Sequence, residues 1–225
     1  MPAFFARRDG RRAVIEGDDA RHLARSLRAK VGEEIDVIDP TGFLLTVRLE
    51  KVSPDLVEGA VVAERRHQPE PAAHVTLAIA NLPAPALELV LSRCTEAGAH
   101  AFVIFRAERS VGRGEKTQRW MTICREAAML AGRLRVPEVS MAPSLAAVLR
   151  SQANSILLDR SAPRLLATLS EPRDVTLVIG PEGGWSDAEL ALATDTATLG
   201  PRNMRADTAA LVALAVALGV REERA

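Results

Sequence analysis

Aromatic residues make up only 3% of this 225-residue chain. That argues against a surface that stacks a run of unpaired bases, as sequence-tolerant single-strand binders do. Cysteine is almost missing too. Cys94 and Cys124 are the only two, and neither belongs to a CxxC pair or a Cys/His cluster. No disulfide framework and no zinc site is therefore expected, and a reducing cytoplasm is the simplest home. Both lie in predicted helices and read as packing residues rather than nucleophiles. The four histidines show no ligand spacing, so no metal is expected. No apolar run approaches the roughly 20 residues that cross a bilayer. The first residues, Met1 to Arg8, run from apolar to basic, the reverse of a secretory signal. No membrane partner is expected. Net charge is zero, and lysine is scarce: three of the 29 basic residues (Lys30, Lys51, Lys116), the rest being arginine. A GC-rich genome accounts for that bias without any RNA. Arginine still suits phosphate, because its planar fork is bidentate and stays charged. Where the arginines lie therefore matters more than how many there are.

The rhythm of the chain changes once. Residues 1–70 read as a small β-rich unit. Strands are predicted over Arg12–Ile15, Ile35–Ile38, Phe43–Val52 and Leu56–Glu64, with turn chemistry at Asp39–Gly42 and Ser53–Asp55. Asp18 can cap a helix over Asp19–Ala29. Gln68–Ala73, with two prolines and no periodicity, reads as a linker. Residues 71–225 alternate short apolar strands with helices. Strands are predicted at Val75–Ala80, Ala101–Phe105, Ser155–Leu158, Val175–Ile179 and Ala197–Leu199. Helices are predicted at Ala84–Ala97, Glu115–Ala131, Ser161–Leu169, Ser186–Ala193 and Asp207–Leu218. Ser186-Asp-Ala-Glu189 is a capping box, and the last helix is apolar almost all round, hence buried. This alternation predicts an α/β domain whose parallel sheet is covered by helices on both faces.

Ligands of open α/β sheets bind where loops leave the C-terminal strand ends. Two such loops stand out. Gly180-Pro-Glu-Gly-Gly-Trp185 carries three glycines, more than a tight turn needs; glycine lets a ligand lie against the main chain. It is neither a Walker A loop nor a GxGxxG fingerprint. Trp185 can pack over this loop or staple the following helix, and the staple is the simpler reading. Leu199-Gly-Pro-Arg-Asn-Met-Arg-Ala-Asp-Thr208 sets Arg202 and Arg205 beside a helix start, where Asp207 or Thr208 can cap. Two cations at the positive end of a helix dipole cost stability unless an electron-rich ligand answers them.

These loops carry a resemblance. Ile179-Gly-Pro-Glu-Gly-Gly184, followed by Leu199-Gly-Pro-Arg-x-Met-Arg-Ala-Asp-Thr-Ala-Ala210, resembles the RsmE-type 16S ribosomal RNA uridine N3-methyltransferases of the SPOUT superfamily. Arg93-Cys-Thr-Glu-Ala-Gly98, Glu108-Arg-Ser110, Arg125-Glu-Ala-Ala128 and Val136-Pro-Glu138 match further segments, and His22–Arg28 resembles the basic helix of the family's N-terminal domain. There are departures. Pro83–Ala86 and Arg93 stand where lysines are common, Ala97-Gly-Ala replaces Leu-Gly-Val, and Asp207 replaces Glu.

The resemblance implies a C-terminal trefoil-knot domain and a small PUA-like N-terminal β-barrel. It implies S-adenosylmethionine held by Ile179, Gly180, Glu182, Gly183, Gly184, Leu199, Gly200, Met204, Arg205 and Thr208. It implies methyl transfer to uridine N3 in small-subunit RNA, and a homodimer. Arg205 and Arg202 would stabilise the uridine anion, much as an oxyanion hole does. Glu182 is the nearest carboxylate in sequence, with two readings open: general base, or acceptor for loop amides. For the RNA, Arg21, Arg25 and Arg28 fall on one predicted helical face in a stretch without acids. Residues 106–135 carry eight basic residues, among them Arg109, Arg113, Arg125, Arg133 and Arg135, against three acidic ones. Phosphate contact is the economical reading of both clusters. Ribose 2′-O-methylation by the same fold, a non-catalytic RNA-binding protein and a nucleotide-phosphate enzyme are the competing readings.

Overall fold

The computed structural model of the chain describes residues 3–112, 114–152, 154–168 and 174–219. It divides into two compact units, one of Met1–Glu70 with Ala128–Arg135, the other of Pro71–Ala127 with Val136–Ala225.

The first unit is a six-stranded sheet. Its strands are β1 (Phe4–Phe5), β2 (Arg7–Asp9), β3 (Arg12–Glu16), β4 (Glu34–Asp39), β5 (Phe43–Val52) and β6 (Leu56–Arg66). The order is β1-β4-β5-β6-β3-β2, so β1 and β2 lie at opposite edges although only Ala6 separates them in the chain. The sheet must curl on itself to bring those edges together. This is the PUA-like barrel expected, reached by two short strands that the pattern did not show. Register shifts at Thr46/Val47 and Leu49/Lys51 bend the long β5–β6 pair. The Asp39 carboxylate, 3% exposed, accepts from Thr41 N and Oγ1, and Gly42 takes the positive φ (108°) that the turn requires.

The basic helix is shorter than predicted. It is one α-helical turn pair, α1 (Gly17–Arg21), starting at Glu16 with no side-chain cap from Asp18. A π-helical turn over His22–Ser26 follows, with Leu27 N donating to His22 O. Arg28 then adopts φ 54° and Ala29 N bonds Leu23 O, which closes the helix. Arg21, Arg25 and Arg28 therefore do not share one α-helical face, although all three are exposed.

Arg133 also differs from expectation. Its side chain is 3% exposed and bonds the Glu70 carboxylate through Nε (3.3 Å) and a terminal nitrogen (2.6 Å). A cation so enclosed is not displayed to phosphate. Its place in the RNA-facing set is corrected to an internal ion pair.

The second unit is a parallel sheet in the order β12-β10-β11-β7-β8-β9. Its strands are β7 (Val75–Ala80), β8 (Ala101–Phe105), β9 (Glu138–Ala142), β10 (Ser155–Leu158), β11 (Val175–Ile179) and β12 (Thr196–Ala197). Every pairing in it is parallel. Alternate residues serve two cores. Leu77 and Ile79 join α2 (Ala84–Glu96) and α6 (Ala206–Gly219) on one face. Ala78, Ala80, Val103 and Phe105 join α4 (Leu145–Ser151) on the other. Full burial of a side chain such as Leu77 or Phe102 contributes roughly 1.5–3 kcal/mol. Helices α3 (Thr117–Ala131) and α5 (Asp187–Leu192) complete the set. The Ser186/Glu189 capping box is present in full.

Four elements depart from the sequence pattern. β9 and α4 were not visible in it. The predicted helix Ser161–Leu169 is a single 3-10 turn at Leu166–Thr168, Leu169 lying outside the described residues; the backbone before it pairs with Thr198 instead. And α6 buries Ala206, Ala210, Ala213, Leu214, Ala217 and Leu218 but leaves Leu211 36% exposed, so it is buried on one face rather than all round. Among the described residues, no helix is long and apolar enough to cross a membrane.

Two outcomes follow from burial. Glu70→Ala removes the carboxylate paired with the buried Arg133 guanidinium, and breaking a buried ion pair costs about 3–5 kcal/mol; urea unfolding should show that loss, with much of it recovered by adding Arg133→Met. Cys94 is wholly buried, and burial, then Cys124 beside it, push its thiol up to about 12 from an ordinary 9.0. The unfolded thiol ionises first, so stability contributed by this group falls as pH rises past 9.0. Native protein at pH 8 should react with a thiol reagent only as fast as it unfolds; immediate labelling of Cys94 would contradict its placement.

Candidate active site

All strands of the parallel sheet point one way, so their following loops gather at one edge. The loops after β10, β11 and β12 enclose a cavity of about 310 Å³. That is at the lower end of the roughly 300–1,000 Å³ of small-molecule sites. From β10 come Leu158, Asp159 and Arg160. From β11 come Ile179, Gly180, Pro181, Glu182, Gly184 and Trp185. From β12 and the start of α6 come Thr198, Leu199, Gly200, Arg202, Asn203, Met204, Ala206 and Ala209.

The cavity thus brings together Ile179, Gly180, Glu182, Gly184, Leu199, Gly200, Arg202 and Met204 of the predicted set. Gly184 (φ 71°) and Gly200 (φ 101°) use backbone conformations that other residues rarely take. Gly184 N closes a tight turn on Pro181 O at 2.9 Å. Gly180 is demanded by packing: a Cβ there would lie 2.8 Å from the Trp185 indole.

Other predicted residues lie elsewhere. Gly183 turns away from the cavity: a Cβ on it would meet Arg109 Cβ at 3.2 Å, and its carbonyl accepts from Arg109 at 3.1 Å. Thr208 is exposed, and its N–H and hydroxyl both donate to Asp207 Oδ1. Neither Asp207 nor Thr208 caps α6, which begins one residue earlier, at Ala206. Arg205 stands beside the cavity, 71% exposed, with Nε 3.9 Å from Glu182 Oε1 and a terminal nitrogen 3.5 Å from Asp207 Oδ2. Both distances exceed those of direct hydrogen bonds, so its donors stay available to an incoming anion. Glu182 accepts no amide among the described residues, so the acceptor reading of that carboxylate gains no support from the fold.

The cationic set is dispersed. Arg25 and Arg28 are exposed and without an acidic partner among the described residues, whereas Arg21 pairs with Asp18. Arg125 is exposed and Arg135 half-buried, both with contacts within the protein. Arg113 lies outside the described residues. Arg109 is engaged with Gly183.

Three sets of contacts at the cavity were not fixed by the sequence. Trp185 is a wall as well as a staple: 8% exposed, it stacks parallel to Phe105 at 6.3 Å and donates from Nε1 to Leu158 O at 2.9 Å. Thr198 holds two walls together. Its hydroxyl meets Arg160 O (3.2 Å) and accepts from Gly200 N (3.1 Å), while its backbone bonds Arg164 O and Leu166 N. Asp159 turns its own loop by accepting from Ser161 N at 2.7 Å. The Trp185 and Thr198 bonds act across chain-distant segments, which no local pattern records, while the Asp159 turn is local.

The donor set suits a ligand that is mostly apolar with a few polar edges. Ile179, Trp185, Leu199, Met204, Ala206 and Ala209 supply the apolar walls, and glycine backbone supplies the close approach. Adenosine with a methionine tail has that character.

Comparisons with known proteins agree. An RNA methyltransferase domain family matches residues 68–218, and an RNA methyltransferase PUA domain family matches residues 15–62. The chain is 30% identical over 222 residues to ribosomal RNA small subunit methyltransferase E of Bacillus subtilis, covering 89% of this chain and 87% of that one. It is 31% identical over 232 residues to the protein of the same name from Mycobacterium bovis, covering 94% and 87%. In fold it is similar to ribosomal RNA small subunit methyltransferase E from Neisseria gonorrhoeae, solved bound to S-adenosyl methionine, with TM-score 0.85, 24% identity, and coverage of 96% of this chain and 95% of that one. The three-walled cavity, the curled N-terminal sheet and these matches lead to one conclusion: the chain belongs to the RNA methyltransferase family that the ribosomal RNA small subunit methyltransferases E represent.

Proposed function

We propose that this protein transfers a methyl group from S-adenosylmethionine to N3 of a uridine in 16S ribosomal RNA. The observation that carries the reading is the cavity itself. Glycine-lined main chain and apolar walls fit the cofactor, and a guanidinium with free donors stands at its edge. The relatives are named for small-subunit ribosomal RNA, which does not favour ribose methylation of another RNA or a non-catalytic role.

Gly180, Gly184, Leu199, Gly200 and Met204 hold the cofactor in this reading, with Ile179 and Trp185 as apolar walls. The bound cofactor supplies an electrophilic methyl on a sulfonium cation. The chain's own residues prepare the acceptor. Uridine N3 carries a proton and is held in pairing and stacking, so the base must be extruded to reach the cavity. Arg205, joined by Arg202, stabilises the anion left when that proton departs. The Glu182 carboxylate, which lines the cavity beside Arg205, receives the proton in this reading. Orienting acceptor against donor supplies much of the remaining acceleration.

In the same reading residues 1–70 form an RNA-binding PUA-like domain and residues 71–225 a knotted catalytic domain. The active form is a cytoplasmic homodimer. Leu211 on the outward side of α6 supports an apolar subunit contact. Arg25, Arg28, Arg125 and Arg135 grip RNA phosphates.

The decisive experiment is incubation of the protein with labelled cofactor and 30S particles from cells lacking the enzyme, then mass mapping of the modified nucleotide. Label on a uridine base at N3 is expected; label on ribose would overturn the reading. Arg205→Ala should lower kcat by roughly 10²–10³-fold while cofactor affinity by calorimetry changes little; undiminished turnover would remove Arg205 from the mechanism. Replacing Arg25 and Arg28 by Glu should weaken RNA binding and flatten its salt dependence by about one unit of log–log slope per lost phosphate contact, with cofactor binding spared. RNA affinity indifferent to both changes would make this ordinary surface.

A further inference from the structure

We infer that Arg109 is a positioning residue for the cofactor loop rather than an RNA contact. This deepens the proposed function and rests on the reading that the cavity holds S-adenosylmethionine.

The loop after β11 is tied down at four points. Gly184 N bonds Pro181 O and closes the turn. Trp185 Nε1 bonds Leu158 O. Ser186 and Glu189 form the capping box of α5. The fourth tie is Arg109, whose guanidinium donates to Gly183 O at 3.1 Å. It differs in kind from the others. It reaches 74 residues along the chain, it comes from the loop after β8, and it is exposed.

Arg109 can do this because its own backbone is fixed. The Glu189 carboxylate, 5% exposed, does two jobs. One oxygen accepts from Ser186 N at 3.1 Å within the capping box, and the other accepts from Glu108 N at 3.0 Å. Ala107 N also bonds Ser110 Oγ at 3.0 Å, which turns the segment around Arg109. One buried carboxylate therefore anchors both the start of α5 and the segment that carries Arg109. The guanidinium closes the clamp on the opposite side of the loop from the cavity. Gly183 leaves room for it: a Cβ there would meet the Arg109 stem at 3.2 Å.

Gly184 and Gly180 line the cavity, and the positive φ of Gly184 is what makes the turn possible and also what a free loop would squander. Holding Gly183 O pre-orders the turn before ligand arrives, so less ordering is left for binding itself. The positive charge of Arg109 is directed at a carbonyl, not at an RNA phosphate.

The test uses full-length protein. Arg109→Ala, Arg109→Lys, Gly183→Ala and the double variant Arg109→Ala/Gly183→Ala are compared with wild type. Cofactor affinity is measured by calorimetry without RNA, RNA affinity as a function of salt, and folding by thermal melting. Arg109→Ala should weaken cofactor binding on the order of tenfold, the scale of one lost hydrogen bond to a charged donor. Lys should recover part of that. Gly183→Ala should weaken it similarly by pushing the stem aside, and the double variant should be no worse than Arg109→Ala, since both break one tie. The salt slope of RNA binding should not move. Unchanged cofactor affinity in a folded Arg109→Ala protein, or an RNA slope reduced by about one, would overturn the clamp. Additive losses in the double variant would overturn it too. Failure of wild type to bind S-adenosylmethionine would instead sink the functional reading on which the clamp rests.

Discussion

The site exists because the backbone of Thr198 is held on both sides by the stretch that follows β10. Thr198 N bonds Arg164 O at 2.8 Å and Leu166 N bonds Thr198 O at 2.9 Å. Its hydroxyl, in a residue only 8% exposed, adds contacts to Arg160 O and Gly200 N. These bonds draw residues 160–166 out of the helix that their composition favours. They also fix where the loop after β12 can run. That loop is then forced back over the ends of β10 and β11, and the cavity is the space left between the three. Remove this crossing and Leu199, Gly200 and Met204 lose their position opposite Gly180 and Gly184.

The other wall depends on a division of labour among polar groups. Trp185 buries its ring against Phe105 and spends its single donor on the Leu158 carbonyl. Glu189 is buried but fully engaged by two backbone amides, which is what a buried carboxylate requires. Arg205 is the contrast. It is mostly exposed, and its two acidic neighbours stand off at 3.9 and 3.5 Å. Rigid groups thus shape the cavity, and a loosely held cation is left where charge would develop. That is the arrangement expected of a preorganised site with one responsive element.

Much of this was legible in the chain. The change of rhythm near Gln68–Ala73 and the apolar strands β7, β8, β10 and β11 follow from hydrophobic period, because a strand buried on both faces has to be apolar throughout. The Ser186 capping box is a local hydrogen-bond exchange and so is written locally. The glycines at 184 and 200 were legible for the same reason: a backbone angle belongs to its residue. What misled was most often a longer-range contact. Arg133 looked like one more exposed cation until Glu70 closed around it. In the sequence Arg109 shows only its charge and Gly183 reads as a cavity residue, whereas in the fold the Arg109 guanidinium donates to the Gly183 carbonyl. Arg28 left the helical face because the chain turns there into β4, which no 3.6-residue period announces.

The sequence by itself determined the fold class, the order of nearly all major elements, the two loops that bear the site and the family to which they belong. These rest on period, on turn chemistry and on motif, all properties of neighbouring residues. Only the tertiary structure decided which faces of those loops look inward, that Thr198 and Trp185 hold the walls together, and which arginines remain free to act. Those outcomes depend on hydrogen bonds and ion pairs between residues as far apart as Arg109 and Gly183 or Glu70 and Arg133. A charge keeps its sign in the sequence, but whether it is spent on an internal partner is settled only when the chain closes on itself.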